Sequence, residues 1–212
     1  MLIGAVVNRS ERKKTEILAA ARGVFLREGY AAAGMEAVAR MAGVSTATLY
    51  AYFPSKAKLF EIIVHDAVQH MAEPVRASVR AKGDARVRLT SLALAYAALM
   101  SQPATRAMFR MIASERRRFE ALADHALQGA HKALGGTAIA LIEDLVASGE
   151  LATDRPAGAA GQLLGMLDHA TLVLGLAAGD EVRPARPLRD IANEAVETFL
   201  ARYGARSSGA SL

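Results

Sequence analysis

The chain has 212 residues, a net charge of +5 and no cysteine, a length that allows one large or two small domains with cores that need no metal or disulfide. Without cysteine there is no disulfide framework, no thiolate zinc finger and no cysteine nucleophile, which suits a reducing, cytoplasmic setting. The apolar run Leu2 to Val7 is too short for a secretory signal and has no basic residue before it. The most apolar stretch, after Pro156, is interrupted by Asp168 and His169, so no membrane partner is expected.

Proline is sparse and almost no segment alternates with period two, so the reading is all-α. Ser10 can cap a first helix whose Ile17, Ala21, Val24 and Phe25 share one face and which stops at Gly29. Met35 to Ala42 makes a short second helix, and Thr46 to Phe53 a third. Val38, Met41, Val44 and Leu49 are expected to face inward and close a small core. A fourth helix starts at Lys56 and continues to about Val79, with Leu59, Phe60, Ile63 and Ala67 inside and Pro74 as a kink or break. After Gly83 the pattern stays helical: Asp84 to Met100, Pro103 to about Ser114, Arg118 to Ser148 with a bend at Gly135-Gly136, Asp154 as the cap of a helix to about Ala178, and Leu188 to Tyr203. The implied organisation is a three-helix domain over 10–56, a larger helical domain over 57–203, and a flexible tail over 204–212.

Residues 43–56 read GVSTATLYAYFPSK and carry the most specific signal. Gly43 can take the positive φ of a tight helix-to-helix corner, and Ser45 offers an oxygen to the open N–H groups of the next helix. Ala47 and Thr48 lie near the leading end of that helix, small enough for close approach to a major groove, while Tyr50 and Tyr52 supply longer donors and Pro54 stops it. Through residue 60 there are nine Lys or Arg against four acidic residues, a surplus that equals the whole net charge of +5. The positive charge is therefore placed where DNA phosphates would require it.

The ordered set Phe25-Leu26-Arg27-Glu28-Gly29-Tyr30, Val38-Ala39, Ala42-Gly43-Val44-Ser45, Thr48-Leu49-Tyr50, Tyr52-Phe53-Pro54-Ser55-Lys56 and Leu59-Phe60 resembles the TetR family of bacterial transcriptional regulators. Tyr96 to Phe119 and Gly149-Glu150-Leu151 resemble its AefR or AcrR-like subgroup. The resemblance implies that Ser45, Thr46, Thr48, Tyr50, Tyr52 and Lys56 meet DNA. Thr46 and Ala47 fall where bases are read, Tyr50 and Tyr52 reach phosphates, and Lys56 clamps a phosphate. Leu49 and Phe53 are core positions. Relatives commonly precede the second helix with Thr or Ser; here Gly34 stands there, which weakens a cap and a phosphate contact together. Thr46 replaces the frequent Lys or Arg and cannot hold guanine in bidentate fashion, so base reading leans on Ser45, Thr48 and DNA shape.

One reading helix covers few base pairs, so a homodimer on a palindromic double-stranded operator is expected. The resemblance makes 10–56 a helix-turn-helix DNA-binding domain and 57–203 a helical ligand-binding and dimerisation domain, with dimerisation assigned to the last two long helices. Gly158, Gly161 and Gly165 inside a helical pattern suit close approach of a second helix, since each costs about 1 kcal/mol relative to Ala. Leu188, Ile191, Ala195, Phe199 and Tyr203 form a stripe that suits either a partner or the chain's own core. The resemblance also implies a pocket for a small-molecule effector. Met71, Met100, Met108, Phe109, Met111, Phe119 and Met166 are candidates for its soft apolar lining, and His169 for a polar contact. His65/His70 and His125/His131 do not share helical faces, so no metal site or cofactor is expected. No nucleophile-base pattern or Gly-rich phosphate loop is present, which argues against an enzyme. The alternative to a regulator is an architectural DNA-binding protein without effector or sequence choice.

Overall fold

The computed structural model describes residues 9–117, 120, 124, 128–179 and 181–205. The expectations for Leu2 to Val7, Phe119, His125 and the tail from 206 fall outside them. Every regular element among the described residues is helical, and one isolated antiparallel bridge joins Leu151 to Gly204. Two compact units are formed: residues up to 67 with 111–123, and 68–110 with 124–212. The first boundary lies beyond position 56 because the fourth helix supplies core to the first unit.

In the first unit, α1 (Arg9–Ala32) is interrupted at Gly29, where φ is 74°. It is followed by α2 (Met35–Met41), α3 (Thr46–Tyr52) and the first part of α4 (Lys56–Met71). Phe25 meets Phe60 edge-on with ring centroids 5.3 Å apart, and Tyr30 lies 4.8 Å from Phe60. Such aromatic pairs add about 0.5–1.5 kcal/mol to the burial of each ring. Arg22 donates to Asp66 at 2.5 Å, tying α1 to α4. Two expectations are corrected. Ser10 is inside α1 rather than its cap. Met41 is 49% exposed and Val44 is half-buried, because Met35, Val38 and Ala39 already make the inward face of a seven-residue helix and Met41 falls well round from it.

The second unit contains α5 (Glu73–Ser78), α6 (Ala85–Met100), most of α7 (Pro103–Glu115), α8 (Gly136–Ala147), α9 (Pro156–Asp168), α10 (Leu174–Ala178) and α11 (Leu188–Tyr203). Single π-type turns, His131–Gly135 and His169–Val173, lead into α8 and α10. Pro74 sits in the first turn of α5, so the expected fourth helix breaks there. Asp84 caps α6, accepting from the Val87 N–H at 2.9 Å. Asp154 does not cap α9: Arg155 holds the cap position, and Thr153 Oγ1 accepts the Arg155 N–H. Helix α6 is the centre of this unit, burying Leu89, Leu92, Ala93 and Ala97 among Leu141, Ile142, Leu163, Leu167, Val196 and Phe199.

The stretch Pro156–Ala178 is 23 residues long, with mean hydropathy 1.2, and meets the length and composition of a membrane-spanning helix. Here it packs Ala159, Ala160, Leu163, Leu167, Thr171, Leu172 and Gly175 into the core. The start of the expected tail is held as well, since the Ala205 N–H donates to the Glu150 carbonyl at 3.0 Å.

Candidate nucleic-acid interface and ligand cavity

The corner before α3 is built by backbone bonds that only a left-handed residue permits. Gly43 has φ 64°, its N–H donates to the Arg40 carbonyl at 3.2 Å, and the Val44 N–H reaches back to the Ala39 carbonyl at 3.0 Å. This pair of bonds is a Schellman motif, which closes α2 and turns the chain. Ser45 then opens α3 in an extended conformation; its Oγ accepts from the Thr48 N–H at 3.1 Å and lies 2.8 Å from Thr48 Oγ1. Pro54 follows the last turn, and Ser55 Oγ accepts from the Lys58 N–H at 3.1 Å to start α4.

Leu49 and Phe53 are fully buried, which fixes the roll of α3 and turns the other face outward. Ala47 is exposed, Tyr50 is 46% exposed, and Thr46 and Thr48 are half-buried. Tyr52 behaves differently from Tyr50: its hydroxyl lies 3.1 Å from Ser10 Oγ, linking the end of α3 to the start of α1. Lys56 donates to the Ala31 carbonyl at 3.1 Å and sits 4.5 Å above the Tyr30 ring, holding the end of α1 against the start of α4. Gly34 is the cap residue of α2 with no side-chain bond, at φ −98° and ψ 142°.

Three further cations of this unit were not singled out from sequence. Lys13 and Lys14 lie three and four residues beyond Ser10 and so share its side of α1, and Arg40 is exposed in the last turn of α2. The sequence signal for them was only the general positive surplus of the segment.

In the second unit, Tyr96, Met100, Phe109, His131, Leu134, Ile139, Ala160, Leu164 and Asp168 line a cavity of about 470 Å³, with Ala157, Gly161 and Gly165 along one wall. Met100 and Phe109, two of the candidate lining residues, are among them. Met108 is buried, Met71 and Met166 pack part-buried against the core, and His169 is exposed. Met111 is buried in the first unit, and Phe119 lies outside the described residues. The polar feature that sequence reading missed is a pair 72 residues apart, Tyr96 Oη donating to Asp168 Oδ1 at 2.8 Å. Burial, then the neighbouring carboxylate, hold the phenol well above its ordinary range. Burial raises the Asp168 carboxyl too, and the Tyr96 hydrogen bond draws it part of the way back.

The expected dimer residues divide. Ile191, Ala195 and Phe199 are buried in the chain's own core, because the apolar stripe of α11 packs on α6 and α9; the exposed side of α11 carries Arg189, Asp190, Asn193, Glu194 and Glu197. Gly161 and Gly165 are exposed, with nothing within 4 Å of a Cβ built on either.

A helix capped at its start, backed by buried Leu49 and turned outward after a tight corner, in a segment that carries the chain's positive surplus, defines a helix-turn-helix transcriptional regulator. The chain belongs to the TetR family: residues 17–63 match the bacterial regulatory proteins of the tetR family, and residues 87–205 match the AefR-like transcriptional repressor C-terminal domain. It is 36% identical over 86 residues to the HTH-type transcriptional activator FasR of Mycolicibacterium smegmatis, an alignment that spans 41% of this chain and 39% of that curated relative. A crystal structure described as a TetR-family regulator of Mesorhizobium loti MAFF303099 superposes with a TM-score of 0.87 at 26% identity, covering 93% of this chain and 99% of that one. The flavonoid-responsive regulator FrrA gives 0.73 at 28% identity, covering 92% and 99%.

Proposed function

We propose that the chain is a dimeric repressor that binds a palindromic double-stranded operator through α3 and is released by a small apolar or amphipathic effector held in the cavity of the second unit. The observation that carries the DNA reading is the outward face of α3, with Ala47 and Tyr50 exposed over a fully buried Leu49. Ser45, Thr46, Ala47 and Thr48 meet base edges, while Tyr50, Tyr52, Lys56 and the cap position Gly34 approach phosphates, joined by Lys13, Lys14 and Arg40.

An effector reading draws on the cavity, whose volume of about 470 Å³ suits a drug-sized ligand. FrrA, described as flavonoid-responsive, offers a precedent among similar chains. Repression is favoured by the match of 119 residues, 87–205, to a repressor-type C-terminal domain. The exposed side of α9 supports a partner copy: Gly158, Gly161 and Gly165 leave it flat, and Val173 and Leu174, just beyond, are 47% and 45% exposed. Release requires only that the effector prefer the conformation that fits the operator less well.

Selection of bound fragments from a random DNA pool, followed by compound titration against the recovered site, tests this reading. The expected result is a palindrome bound at least about 10³-fold more tightly than random DNA, with affinity lowered by a subset of apolar compounds. Recovery of no palindrome overturns the dimeric operator reading and restores the architectural alternative. Operator affinity unchanged by every compound that raises the melting temperature overturns the effector reading.

A further inference from the structure

Resting on the effector reading above, we propose that the cavity selects molecules that present a hydrogen-bond donor, a hydroxyl or a protonated amine, on an apolar body, and discriminates against carboxylates. Its walls are mostly featureless: Met100, Phe109, Leu134, Ile139 and Leu164 offer shape and contact area but no polar direction. Orientation must come from Tyr96, Asp168 and His131, the polar side chains among the described lining residues.

Tyr96 is only 6% exposed, and its single proton is directed at Asp168 Oδ1, 2.8 Å away. A phenol held above its ordinary range keeps that proton throughout the working pH range. Once the bond is made, what the pair shows to a ligand is acceptor capacity: the second carboxylate oxygen of Asp168 and the lone pairs of the phenol. The complement of an acceptor pair is a donor.

Charge points the same way. No lysine or arginine is among the described residues lining the cavity, and among the described residues the neighbour that draws the Asp168 carboxyl back toward ionisation is the neutral Tyr96. A carboxylate ligand would therefore place like charges together in a half-buried space with no lysine or arginine among the described lining residues to offset them. His131 lines the cavity from the turn before α8 and is itself exposed. A half-buried carboxylate with a hydrogen bond but no cation among its described neighbours is a poor way to stabilise a core, since an uncharged partner would serve Tyr96 at lower desolvation cost. It is a good way to receive a donor.

Four probes of one shape separate the possibilities: 4-butylphenol, 4-butylbenzylamine, 4-butylanisole and 4-butylbenzoate, each titrated calorimetrically into the full chain at neutral pH. The phenol and the anisole differ in the donor, and the amine and the benzoate in the sign of charge. The expected order places the phenol or the amine about 10- to 100-fold tighter than the anisole, the size of one hydrogen bond to a charged acceptor, with the benzoate weakest. Whichever of the two donors binds tighter identifies hydroxyl or ammonium as the preferred form.

In Asp168→Asn the amine should lose about 10-fold or more and the benzoate should gain, while Tyr96→Phe should keep the preference for the amine over the benzoate. The series on the unmodified protein stands even if a variant fails to fold. Equal affinities for the four, or tightest binding of the benzoate or anisole, overturn the donor preference and leave a ligand-responsive regulator in place. No binding of any of the four overturns the preference as well. If, in addition, no compound of any class releases the operator, the effector reading itself falls.

Discussion

Removing the oxygen at position 45 separates the two tasks given to Ser45. In the structure Ser45 Oγ accepts the Thr48 N–H at 3.1 Å and lies 2.8 Å from the Thr48 hydroxyl, at the head of a helix only seven residues long. Replacing an N-cap serine by alanine costs about 1 kcal/mol, whereas glycine costs only a few tenths, because glycine leaves the cap groups open to water. At φ −73° and ψ 153° either replacement fits the backbone. For a chain of this size about 1 kcal/mol corresponds to a fall of roughly 2–4 °C in melting temperature. Ser45→Ala should show that fall by calorimetry, and Ser45→Gly about a quarter of it. Both lack the hydroxyl, so if Ser45 also meets DNA, both should lose operator affinity by a similar factor in a fluorescence titration. A Ser45→Gly variant as unstable as Ser45→Ala would refute the cap argument. Unchanged operator affinity in the glycine variant would remove Ser45 from the DNA contacts.

The other expectations concern positions where the backbone or burial sets the answer. Gly34→Ser should gain a few tenths of a kcal/mol in chemical denaturation and bind its operator more tightly, since Gly34 caps α2 without a side-chain bond and a Cβ there meets only Glu36 Oε2, at 3.4 Å; weaker binding would speak against a phosphate contact at this cap. Gly175→Ala should destabilise by about 1–3 kcal/mol, because its Cβ would lie 2.5 Å from Arg106 Cδ and 2.7 Å from Nε, where the fully buried Arg106 donates to the Ser101 and Val182 carbonyls. An unchanged unfolding midpoint would mean that the guanidinium has room to move. For Asp168, a folded-state pKa raised mainly by burial means that the carboxyl's contribution to stability is present below its unfolded pKa and lost as pH rises through the folded value. Asp168→Asn should accordingly melt higher than the parent near neutral pH, with the gap closing on acidification to about pH 4; a gap that widens on acidification would contradict the sign.

Local chemistry made the DNA-binding half legible. The corner at Gly43, the Ser45 cap and the stop at Pro54 each depend on residues within a few positions of one another, so spacing in the chain is spacing in the structure. The same holds for Asp84 at the head of α6. It fails at Ser10, where nothing nearby in sequence foretells a bond to the Tyr52 hydroxyl 42 residues away, and at Met41, where two turns of helix are too few for periodicity to fix the inward face.

What the sequence alone determined, then, is the all-α class, the reading helix and the concentration of positive charge around it, because helix propensity, capping and composition are properties of short segments. Periodicity also identified the apolar stripe of α11, but a stripe states only that a face must be covered. Tertiary structure decided what covers it: Ile191, Ala195 and Phe199 are buried within their own chain, and the exposed glycines of α9 are left for a cavity or a partner. The Tyr96–Asp168 pair belongs to the same class of fact. Two polar residues on separate helices acquire a joint function only when packing brings them together and removes water from around them, and no local pattern in the chain encodes that meeting.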